Sequence, residues 1–154
     1  MPGSASSASQ GPSGPAPGPA AGESASGEQA TGGEAVGAAA AISSGIVSLY
    51  KRYRGRGPTA VRTHLVGDLA VVLLTGGFTV AEQTLAREGH GDVVLEQRRA
   101  FQLVMAERFK ALVREVTGRE IVAMLSANHV DPDLAVETFV LGDRTGDTPR
   151  PALG

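Results

Sequence analysis

Apolar residues return at spacings of three and four from Ile42 through Ile46, Leu49, Tyr50 and Tyr53, which predicts a helix with one apolar face that Gly55 stops. Beyond it, Val61, Thr63 and Leu65 alternate with polar neighbours, so residues 59–65 read as a half-buried strand. Gly67 and Asp68 make a tight turn, and residues 69–75 read as a second, more deeply buried strand closing a β-hairpin. Gly76 and Gly77 break that strand. Thr79 followed by Glu82 fits a capping box for a short helix from Val80 to about Arg87.

After the Gly89-His90-Gly91 break, a long helix is expected from Asp92 to Thr117. Phe101, Met105, Phe109, Leu112 and Val116 form its apolar stripe, with Arg98, Arg99, Gln102 and Arg114 largely off it, and Gly118 is its stop. Residues 120–128 and 134–141 are rich in β-branched and aliphatic side chains, and His129 to Asp133 joins them as a second hairpin. The order helix, two strands, two helices, two strands predicts a two-layer α+β fold. Two hairpins form an antiparallel four-stranded sheet with helices packed on it; the pattern leaves the order of the hairpins within the sheet open.

Composition narrows the foldable part of the 154 residues. Residues 1–40 are almost entirely Gly, Ser, Ala and Pro, with Val36 the one larger aliphatic residue besides Met1. Such a segment buries too little apolar surface to offset about 1–2 kcal/mol of backbone entropy per residue, so a disordered tail is expected there. The α+β domain is then placed at 41–142 and a flexible C-terminal tail at 143–154.

The formal charge of -2 includes three tail acids, Glu23, Glu28 and Glu34, so the domain itself is near neutral, which weighs against nucleic-acid binding. The chain has no Cys, which excludes disulfides, thiolate nucleophiles and Cys-based zinc sites. The start lacks the charged and apolar regions of a secretory signal, and a cytoplasmic protein is expected. The longest apolar run, Leu69 to Leu74, falls far short of the roughly 20 residues that span a bilayer, and no transmembrane segment is expected.

Two groups of side chains are candidates for binding. Asn128, His129, Asp131, Asp133 and Glu137 have the chemistry of a mixed ligand set or a proton relay. Asp-Pro-Asp is also ordinary turn chemistry, and that reading is preferred over a metal site. Arg52, Arg54 and Arg56, with Lys51 and the interleaved Tyr50 and Tyr53, are the second group. They suit an anion, yet positive charge at a helix C-terminus is favourable in itself, with both tyrosines turned to the core.

Gly55-Arg56-Gly57-Pro58 lacks phosphate-loop spacing and reads as a sharp helix-to-strand connection. Ser126 has no nucleophile elbow around it. No catalytic residue, metal or cofactor is expected, and the protein reads as non-enzymatic.

Three segments carry a family resemblance: Gly55-Arg56-Gly57-Pro58 before a strand, Gly91-Asp92-Val93 with Arg98-Arg99 opening the long helix, and His129 to Asp133 followed by Ala135 to Val140. In this order and spacing the chain resembles the MpsC-like family over about Ile42 to Leu141. That family is named after a component of a sodium-translocating, membrane-potential-generating system.

The resemblance implies a small accessory or regulatory protein with a possible membrane-bound ion-translocating complex as partner, and it transfers no catalytic residues. A small-ligand or nucleic-acid-binding regulator using Arg52, Arg54, Arg56, Arg62 and the His129 loop is the alternative. Apolar residues on both faces of 69–74 and 121–125 imply a sheet covered on both sides, by its own helices or a second copy, and a homodimer is expected.

Overall fold

The structure, a computed structural model, describes residues 32–146. Its elements follow the predicted order: α1 (Gly32–Arg54), β1 (Ala60–Val66), β2 (Leu69–Thr75), α2 (Val80–Arg87), α3 (Gly91–Thr117), β3 (Arg119–His129) and β4 (Leu134–Arg144). The four strands form one antiparallel sheet in the order β1-β2-β4-β3. The last strand is therefore internal, between the first hairpin and its own hairpin partner.

Local signals placed these elements where the side chains predict. Gly55 ends α1 at φ 81°, and Gly118 closes α3 in the left-handed region at φ 64°. Thr79 and Glu82 form the reciprocal capping box of α2. Register then sorts the strand residues into two faces. Val72 pairs with Thr63 on one side and Glu137 on the other, and Glu137 pairs in turn with Ser126. Antiparallel partners point the same way, so one face carries Val61, Thr63, Ala70, Val72, Leu74, Ala135, Glu137, Phe139 and Met124.

Both long helices lie on that face. Ile42, Ile46 and Tyr50 of α1 and Met105, Phe109 and Val113 of α3 complete a buried cluster with Val72, Leu74 and Phe139. Tyr50 stacks on Phe109 with ring centroids 5.6 Å apart and meets Phe101 at 5.5 Å. Ser43 and Thr63 hydroxyls share a 2.7 Å hydrogen bond between α1 and β1. At Gly45 the two helices close in: a Cβ there would lie 2.5 Å from Leu112 Cδ1.

Several expectations need correction. α1 begins at Gly32, so residues 32–40 belong to a helix and not to a disordered leader. Their composition offers little to bury, but Ala38 to Ala41 are the strongest helix formers, and a turn fixed by the packing of Ile42 and Ile46 propagates backward through them. β4 runs to Arg144, past the expected boundary at 142. The tails proposed at 1–31 and 147–154 lie outside the described residues.

Arg98 and Gln102 are buried on the core side of α3 instead of off its apolar stripe, because each finds polar partners there. Tyr53 is 43% exposed and not core-facing; the guanidinium groups of Arg52 and Arg108 lie 5.3 and 4.7 Å from its ring centroid.

By length and composition α1 is apolar enough to cross a membrane. From Ile42 onward, however, it buries Ile42, Ile46 and Tyr50 in the core. The second face of the sheet carries Val66, Leu69, Val71, Leu73, Leu125, Val136 and Val140, and no described element packs over it.

Candidate functional site

Two polar clusters sit side by side beneath the sheet, where the end of α1, the start of α2, the first half of α3 and the β3-β4 hairpin converge. The first is built on Glu137, which alternation along β4 points inward between Ala135 and Phe139 and leaves wholly buried. Three donors meet its carboxylate. Tyr50 Oη at 3.0 Å and Gln102 Nε2 at 2.7 Å reach Oε1, and the Ser126 hydroxyl donates to Oε2. Gln102 also exchanges hydrogen bonds with Asn128, receiving from Nδ2 at 2.6 Å.

Burial drives the Glu137 carboxyl above its usual range, against the opposing pull of the hydrogen bonds from Ser126, Gln102 and Tyr50. The same burial, reinforced by the Glu137 charge, pushes the Tyr50 hydroxyl far up. Ser126 is exposed and lines a groove of about 450 Å³ between α3 and β3. Its hydroxyl is thus the link between solvent and the buried acid, and the arrangement is suited to holding a proton that equilibrates through Ser126.

The second cluster joins four segments: the end of α1, the start of α2, α3 and the β3-β4 hairpin. Glu82, the third residue of α2, accepts from the Thr79 N-H at 2.7 Å and forms an ion pair with Arg54, whose Nη1 donates to the Gly77 carbonyl at 3.0 Å. Arg98 Nε lies 3.9 Å from Glu82 Oε1, and Arg98 Nη1 lies 2.9 Å from Asp133 Oδ1. Neither Arg98 Nε nor Asp133 Oδ1 has a well-directed hydrogen bond, so these are contacts of charge. The other Asp133 oxygen accepts from the Phe78 N-H at 3.0 Å, and the Arg98 guanidinium covers the Phe78 ring at 4.2 Å. Between the clusters a cavity of about 10 Å³, lined by Tyr50, Arg54, Arg98, Gln102 and Asn128, has room for about one water molecule.

The proposed binding residues separate when placed on this framework. Of the loop group, Asn128, Asp133 and Glu137 enter the two clusters, whereas His129 turns to the opposite side of β3, its Nδ1 2.8 Å from the Pro132 carbonyl oxygen. Asp131 is exposed in the turn, before a cis peptide bond to Pro132. Among the described residues no three His, Asp or Glu side chains converge as a ligand set. Of the basic group, Arg54 is drawn inward while Arg52 and Arg56 stay exposed.

Glu82, Arg98, Gln102 and Ser126 belong to the two clusters although the sequence reading did not count them among the binding candidates. A signal for two of them existed: Arg98 and Gln102 follow Val94 and precede Met105 and Phe109 at steps of three and four, so they occupy the apolar stripe itself.

Comparison with known proteins adds an independent line. The family described as the Na+-translocating membrane potential-generating system (MpsC) matches residues 37–143. Similar over much of its length is the uncharacterized protein YrhF of Bacillus subtilis (strain 168), 29% identical over 110 residues, which cover 70% of this chain and 89% of that protein. The uncharacterized protein YbcI of the same organism is 32% identical over 82 residues, covering 52% of this chain and 65% of YbcI. No solved structure matches.

Proposed function

Because the chain belongs to the MpsC family, we propose that it is a non-enzymatic, cytoplasmic accessory protein of a membrane-bound cation-translocating complex, held there through the open face of its sheet. The observation that carries this reading is the contrast between the two faces. One is covered by α1 and α3; the other turns Val71, Leu73, Val136 and Val140 outward from the central strands, with Val66 and Leu125 beside them on the edge strands. A bare apolar surface of this breadth is characteristic of an interaction site.

Charge narrows the partner. Outward positions over 60–66, 69–75, 123–129 and 134–140 include one cation, Arg62, and no carboxylate. An apolar segment of a protein partner with acidic residues at its margin is the complement.

The test is co-purification of the tagged full chain from a native membrane extract, beside a variant carrying Val66→Glu and Leu69→Glu on the open face. Retention with a membrane complex, lost in the variant, supports the reading. Wild-type protein found free in every fraction defeats it.

A further inference from the structure

We propose that two copies of this chain associate through the free edge of β3 and the outer stripe of α3, joining two four-stranded sheets into one of eight strands. The surface differs from the open sheet face and stands independently of the proposed membrane partner.

The two edges of the sheet are not alike. β1 is seven residues long and carries the charged Arg62, which discourages a further strand. β3 is eleven residues long and has no charged side chain from Ile121 to Asn128. After an irregularity near its start, β3 keeps regular register from Ala123 to His129, a stretch centred on Ser126. An edge so long and uncharged is a template for pairing. A two-fold axis at Ser126 satisfies the alternation of faces, since it sets Met124 opposite Asn128 and Leu125 opposite Ala127 of the second copy.

The helix above that edge is self-complementary. Leu103 of α3 is 73% exposed and lines the groove that Met124 and Ser126 line from below. Glu96, Arg99, Leu103, Glu107 and Lys110 follow at steps of three, four, four and three, which puts them on one stripe. Their charges are symmetric in position and opposite in sign about Leu103. Antiparallel packing on a two-fold axis at Leu103 therefore brings Arg99 to Glu107 of the second copy and Glu96 to Lys110, while the two Leu103 side chains meet at the centre.

Leu103 and Ser126, the helix and strand centres, line the same groove between α3 and β3. Gln102, next to Leu103, is hydrogen-bonded to Asn128 and to Glu137, the acceptor of Ser126. One axis thus serves both layers, and each copy fills the other's groove.

Sedimentation of the full chain at micromolar concentration is expected to give twice the 15.7 kDa monomer mass. Arg99→Glu should raise the dissociation constant at least tenfold, and adding Glu107→Arg to it should restore association. Because the chain has no Cys, Leu103→Cys supplies a single thiol at the axis and should cross-link covalently within dimers under a mild oxidant. A wild-type monomer at tens of micromolar would overturn the proposal, as would a dimer indifferent to Arg99→Glu and uncross-linked through Leu103→Cys.

Discussion

The Tyr50 hydroxyl donates to Glu137 Oε1 at 3.0 Å, a buried hydrogen bond between residues 87 apart that ties the end of α1 to the middle of the sheet. Tyr50→Phe keeps the ring stack on Phe109 and Phe101 and removes only this donor. The carboxylate then has two donors where it had three, and unfolding free energy is expected to fall by about 1–3 kcal/mol at neutral pH. Urea titration of the two proteins measures it.

Glu137 should impose a pH dependence of definite sign. Its carboxyl is raised in the fold above the ordinary value of 4.5, so the native state holds the proton more tightly than the unfolded chain. The stabilisation from this proton is fully present below pH 4.5 and is lost as pH rises through the folded value. Glu137→Gln removes the titration and keeps an oxygen for Tyr50 and Gln102. The stability of the variant relative to wild type should therefore increase with pH above 4.5 and then level off. A difference that shrinks with pH would contradict the assignment.

Arg54 and Arg98 should behave unlike the other basic residues near them. Either one changed to Met leaves buried carboxylate at Glu82, and Arg98→Met strands Asp133 as well, so losses of about 3–5 kcal/mol are expected. Arg52→Met and Arg56→Met, at exposed positions, should stay within about 0.5 kcal/mol of wild type. Thermal denaturation of the four variants separates the groups.

The approach of α1 to α3 at Gly45 leaves no room for a branched side chain. Gly45→Val is expected to cost about 1–3 kcal/mol by overpacking against Leu112. Leu112→Ala in the same chain should recover part of it, and a double-mutant cycle reads the coupling.

Much of this architecture was legible because each element carries its own period and its own stop. The stripe from Ile42 to Tyr50, the alternation at Val61 to Leu65 and the glycines at 55 and 118 depend only on near neighbours. What escaped depends on distant ones. Arg98 and Gln102 look like surface residues until Glu82, Asp133, Asn128 and Glu137 arrive to satisfy them.

The loop group was misjudged as a unit for a related reason. β3 continues through His129, and strand alternation then sends Asn128 and His129 to opposite faces. The strand order could not be read at all, since the hairpins fit together in more than one way until the helices above them are placed.

That order has a bearing on how the chain is made. With β4 inserted between β2 and β3, the hairpin of β1 and β2 must wait with one edge open while some sixty further residues are synthesised. On the ribosome the sheet can be sealed only when the segment ending at Arg144 emerges. A nascent chain stalled short of that point is expected to remain protease-sensitive throughout, and protection should arrive in a single late step.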